Sequence, residues 1–86
     1  MPAPSRFYGI VITMYFFDHG RPHFHARYGG HKASIDVETL DVVAGSLPPR
    51  VFGLVAEWGG LHRDALLAAW EAGCAGRLPS PIPPLE

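Results

Sequence analysis

Along this chain the spacing of apolar residues changes character once, near residue 45. Before it, the pattern is that of strands. Phe7 to Phe17 holds Ile10, Val11, Ile12, Tyr15, Phe16 and Phe17, with Thr13 as the polar interruption. β-Branched and aromatic residues favour strands, and a run apolar on both sides predicts a covered, central one. Gly9 inside it is expected to mark a bulge. His23 to Tyr28 predicts a second strand and Gly29-Gly30 a two-residue hairpin turn. Lys32 to Glu38 alternates cleanly, with Ala33, Ile35 and Val37 on one side and Ser34, Asp36 and Glu38 on the other. A turn at Thr39-Leu40-Asp41 then leads to a fourth short strand, Val42 to Ala44.

After Gly45-Ser46-Leu47-Pro48-Pro49 the period lengthens. Proline is tolerated in a first helical turn, and Val51, Leu54, Val55 and Trp58 recur at i, i+3, i+4 and i+7, which predicts an amphipathic helix. Gly59-Gly60 is expected to break or kink it. Leu61, Ala65, Leu66, Ala69 and Trp70 continue into a second helix, with Gly73 or Gly76 as its stop. Pro79 to Leu85 holds too many prolines for regular structure and is expected to be an extended tail. The predicted architecture is an α+β domain: a four-stranded antiparallel meander with two C-terminal helices on one face. Residues 1–86 form a single domain, with 79–86 as the tail.

Composition narrows the class. The chain is 86 residues long, 48% hydrophobic and 12% aromatic, which argues for a folded domain rather than disorder. A core this small is marginally stable alone, so self-association into a homo-oligomer is an expectation. The lone Cys74 excludes an internal disulfide framework and fits a reducing compartment. No signal peptide and no run of about 18 apolar residues appears, so no membrane partner and a cytoplasmic location are expected. Net charge is -1, so nucleic acid would have to be bound through a local basic patch.

The candidate chemistry sits in one strip. Asp18-His19-Gly20-Arg21-Pro22-His23-Phe24-His25-Ala26-Arg27-Tyr28 gathers three of the five histidines with two arginines. Strand alternation places His23, His25 and Arg27 on one face and Phe24, Ala26 and Tyr28 on the other. A Gly29-Gly30 turn then sets Arg27 opposite Lys32, His25 opposite Ser34 and His23 opposite Asp36, near enough for a carboxylate to orient an imidazole.

Three readings follow from that face. The first is a solvated polar surface with cross-strand His–Asp pairs. The second is a proton-transfer site on an RNA phosphodiester, with His19, His23 and His25 as acid and base. Arg21, Arg27 and Lys32 would hold the phosphate and Asp18 and Asp36 would support them, without any cofactor. The third is a divalent transition-metal site made by His23 and His25 with His19 or Asp36 completing the shell, since an H-x-H pair on a strand aims two imidazoles to the same side. Trp58 and Trp70 are expected in the core, and His62, Arg63, Asp64 and Glu71 on a solvated helix face.

The segments Phe7–Tyr15, Asp18–Tyr28, Gly45–Pro48 and Glu57–Glu71 together resemble a short bacterial family, domain of unknown function four-one-six-zero. The likeness covers nearly the whole chain, and its most specific part is D-H-x-x-P-H-F-H-A-x-Y. The resemblance implies a stand-alone bacterial protein encoded beside a cognate partner protein, one suspected of belonging to a toxin–antitoxin module. It also implies glycine in the turn where this chain has Leu40. The function expected is thus an RNA-binding or RNA-cleaving module component. A non-catalytic protein-interaction module or a small metal-binding protein is the alternative.

Overall fold

The computed structural model describes residues 5–15 and 20–86. These form a five-stranded antiparallel meander in chain order, followed by two helices. The strands are β1 (Ser5–Phe7), β2 (Ile10–Thr13), β3 (His23–Tyr28), β4 (His31–Asp36) and β5 (Val42–Ser46); the helices are α1 (Pro49–Leu61) and α2 (Arg63–Cys74).

The meander has five strands instead of the expected four, because the first apolar run folds back on itself. Tyr8 and Gly9 adopt φ of 50° and 77°, so they form a mirror-image two-residue turn that closes the Phe7↔Ile10 pair. Such turns match the twist of the strands they join. Gly9 is therefore a hairpin residue and not a bulge. The part of that run at Phe16 and Phe17 lies outside the described residues.

The β3–β4 hairpin has the register that a Gly29-Gly30 turn dictates: Arg27↔Lys32, His25↔Ser34 and His23↔Asp36. Gly29 supplies the positive φ, at 56°. One side of the sheet is consequently apolar, with Ile10, Ile12, Phe24, Ala26, Ile35 and Val37 all buried. Val51, Val55, Trp58, Leu66, Ala69 and Trp70 of the helices join the same core.

β4 ends at Asp36, two residues short of the expected Glu38, because Asp36 folds the chain into the next turn. Its Oδ1 accepts hydrogen bonds from the N–H groups of Glu38 and Thr39, at 2.8 and 3.0 Å. Leu40 then takes φ of 62°, a left-handed conformation where glycine is the usual occupant. The reason is packing. The Leu40 side chain lies against the core, and its Cδ2 would be 2.7 Å from a Cβ on Gly59.

That contact also explains why Gly59-Gly60 does not interrupt α1: Gly59 gives Leu40 room while remaining helical. The helices separate instead at His62, whose φ of -119° and ψ of 25° end one and begin the other. Leu61 is accordingly the exposed last residue of α1 and not the start of a second stripe. His62 lies against Trp58, with ring centroids 5.7 Å apart, and Arg63 Nε donates to the Val37 carbonyl at 3.3 Å.

α2 stops at Gly76, one of the two glycines expected. With φ of 78°, Gly76 donates to Gly73 O while the following Arg77 N–H donates to Ala72 O, at 3.0 and 2.8 Å. This crossed pair is the Schellman arrangement that satisfies final helical carbonyls.

The proline-rich segment is extended, but it is also part of the core. Ile82 and Leu85 are buried, and Pro83 O accepts a 2.8 Å hydrogen bond from the indole N–H of fully buried Trp58. Burying an indole is favourable only when its N–H finds a partner. Replacing Ile82 with Ala should therefore cost about 2–4 kcal/mol, read as a lowered thermal midpoint in calorimetry.

Gly45 is required by its surroundings. It has φ of 76°, and a Cβ there would collide with the Lys32 carbonyl of the paired strand. Gly45→Ala should destabilise the fold by about 2–4 kcal/mol, seen as a shifted urea midpoint, whereas Gly53→Ala, with open space around it, should be neutral or stabilising.

Candidate functional site

The side of the sheet away from the core is open, and its residues form rows across the strands. One row is Arg6, Val11, Arg27, Lys32 and Ser46. The next is Thr13, His25, Ser34 and Ala44. The third pairs His23 with Asp36. A hollow of about 420 Å³ lies over the first two rows, lined by Tyr15, His25, Arg27, Lys32 and Ser34 among others. A second, of about 330 Å³, continues from it over Arg21, His23, Asp36 and Val43.

The expected imidazole pair is present. His23 and His25 have ring centroids 5.4 Å apart in an edge-to-face arrangement. Tyr15 stands edge-on to His25 at 4.8 Å, and Trp70 tilts against His23 at 5.0 Å. A chain of four rings thus runs from the open face to the end of the core. His23 Nδ1 lies 3.0 Å from Arg21 O. A carbonyl only accepts, so Nδ1 carries a proton. His25 Nδ1 meets Ser34 Oγ at 3.2 Å, and its Nε2 is buried.

Asp36 does not orient His23, although the two are cross-strand partners. Its Oδ1 is committed to the turn, and its Oδ2 binds Arg21 Nε at 2.9 Å. Cβ register sets which residues are neighbours; here the turn N–H groups and Arg21 captured the carboxylate. Burial alone would raise the Asp36 carboxyl, but the Thr39 and Glu38 N–H groups and the Arg21 guanidinium together outweigh it and hold the carboxyl below its ordinary value. Arg21 remains largely exposed while its charge is matched by Asp36.

Arg6, Arg27 and Lys32 differ in this respect. All three are exposed, and among the described residues the Arg21–Asp36 pair is the only salt bridge. Among the described residues, the outer row is thus a line of cations with no carboxylate within ion-pair distance. Arg6 was not singled out from the sequence, because it belongs to the hairpin that the apolar run concealed. Reading Tyr8-Gly9 as a turn would have placed it.

His19 and Asp18 lie outside the described residues. Among the described residues, no three His, Cys, Asp or Glu side chains are grouped so as to hold a metal ion. Cys74 ends α2 and is exposed. No described helix is long and apolar enough to cross a membrane.

Residues 9–71 match the family described as Domain of unknown function (DUF4160). The match takes in β2 to β5, all of α1 and most of α2, and the chain belongs to this family. Comparisons with curated proteins and with solved structures give no match.

The lowered Asp36 carboxyl has a signed consequence. Its contribution to stability is complete above the ordinary carboxylate value and is lost as pH falls through the lower folded value. Asp36→Asn should cost about 2–4 kcal/mol at neutral pH, where an amide replaces a charged acceptor of three hydrogen bonds. It should also flatten the fall in stability below about pH 4, measured as urea midpoints across an acid series.

Proposed function

We propose that the open face of the sheet binds single-stranded RNA. The observation that carries this reading is the row Arg6–Arg27–Lys32, cations without carboxylate partners, set beside the Tyr15–His25–His23 rings. Lys and Arg gain most from phosphates when no local carboxylate already matches them, and binding then releases counterions from the nucleic acid. Rings on an open sheet surface are a general platform for stacking unpaired bases. The face joins the two: phosphates along the outer row, bases over the inner rows.

Binding is better supported than cleavage. General acid–base hydrolysis calls for two proton-carrying groups within reach of the phosphodiester. His23 Nδ1 is turned to the Arg21 carbonyl, and the His25 Nε2 is buried with its Nδ1 turned to Ser34. His25 therefore reads as a positioning residue of the platform. The cellular role we attach to the site, an RNA-directed component of a two-gene toxin–antitoxin module, rests on the family resemblance.

Purified protein should bind short unstructured RNA with a marked salt dependence. Arg27→Ala with Lys32→Ala should weaken binding about tenfold or more at low salt. The slope of log affinity against log salt should become shallower by about 1.4, from about 0.7 per lost phosphate contact on a single strand. Fluorescence anisotropy reads both. Failure of the unmodified protein to bind RNA at low salt would overturn the proposal. In a parallel digestion assay, the unmodified protein and His23→Ala should leave the RNA equally intact.

A further inference from the structure

The pairing of β4 with β5 contains an irregularity that reshapes the open face. Ser34 pairs with Ala44, but the next residue, Ile35, pairs with Val42. Val43 is therefore an extra residue in β5, a bulge of the kind that re-aims a side chain. Val43 is 60% exposed, and with Ala44 it lines the hollow of about 330 Å³. His23, His25 and Arg21, the last held by Asp36, line the same hollow.

The chemistry of this slot is specific. Its lining combines two imidazole-bearing residues with small aliphatic side chains and is almost wholly apolar, which suits the face of a flat aromatic ligand. The cation among its lining residues is Arg21, whose Nε is already committed to Asp36. An arginine offers donors only, so the edge that meets it must present acceptors. Because the carboxylate holds Nε, the guanidinium has a fixed orientation, and a fixed fork discriminates better than a free one. Among the bases, guanine presents O6 and N7 together as an acceptor pair that matches an arginine fork.

We propose that this bulge-walled slot is a base-selecting subsite that takes guanine from the bound strand. The inference rests on the RNA-binding reading and deepens it: the cation row supplies affinity without sequence preference, and the slot supplies preference. The slot adjoins the larger hollow, sharing His25 and Ala44 with it, so one strand can occupy both.

The test uses the full chain and a set of oligouridine probes that differ by one central residue: G, A, C or U. Anisotropy should show the G probe bound about tenfold more tightly than the U probe, the range expected for one bidentate contact. Arg21→Lys keeps the charge beside Asp36 but loses the fork, so it should abolish that preference and leave affinity for the U probe unchanged. Val43→Phe, at an exposed bulge position that lines only the smaller hollow, should narrow the slot and likewise abolish the preference. Thermal melting of both variants verifies that they fold. Equal affinity for all four probes, or a G preference that survives both substitutions, would overturn the subsite while leaving RNA binding in place. No binding to any probe would overturn the RNA-binding reading, and the subsite with it.

Discussion

The register of β3 against β4 is the constraint on which the rest of the molecule depends. Because strand side chains alternate, one pairing decides both faces together. With Phe24 opposite Ile35 and Ala26 opposite Ala33, the core is apolar and can accept the helices. The same pairing sets Arg27 beside Lys32 and His25 beside Ser34 on the open side. A slip of one residue would send imidazoles and cations under Trp58 and leave Phe24 in water. The two-residue turn at Gly29-Gly30 is what prevents it. Fold and site are two faces of a single choice of partner.

The core that this hairpin underlies is closed from three directions. α1 brings Val51, Val55 and Trp58, α2 brings Leu66, Ala69 and Trp70, and the segment after α2 brings Ile82 and Leu85. Trp58 is the meeting point. It lies against Phe7 from β1 and Phe24 from β3, with ring centroids 5.3 and 5.8 Å away, and it donates to Pro83 O. A domain of this size buries a modest share of its surface, so an indole that joins β1, β3 and the C-terminal segment carries weight out of proportion to its number. Leu40 and Gly59 show the same economy. A left-handed backbone at one residue is accepted so that a leucine can fill the space left by the other.

Much of this was legible in the sequence because two short-range signals are strong. The Gly-Gly turn fixed the hairpin and hence the shared face of His23, His25, Arg27, Lys32, Ser34 and Asp36. The three-to-four spacing of Val51, Val55 and Trp58 fixed the buried side of α1. What could not be read depended on tertiary context. Tyr8 has no intrinsic reason to take a positive φ, so the β1–β2 turn was hidden at the start of an apolar run read from Phe7, and Arg6, just before it, was overlooked. Gly59 and Gly60 look like helix breakers until Leu40 is seen over them. The prolines around Ile82 and Leu85 masked two core residues. Asp36 was placed correctly opposite His23, yet register says nothing of where a carboxylate turns, and backbone donors two and three residues ahead were nearer partners.

That choice by Asp36 links two properties that are otherwise separate. A single carboxylate both closes the loop after β4 and cancels the charge of Arg21 on the open face. Protonating it would loosen the loop and, in the same event, unmask Arg21 as a further cation on the open face. Acid would therefore make the surface more attractive to polyanions just as the scaffold beneath it softens. Surface charge and rigidity are tuned in opposite senses by one proton.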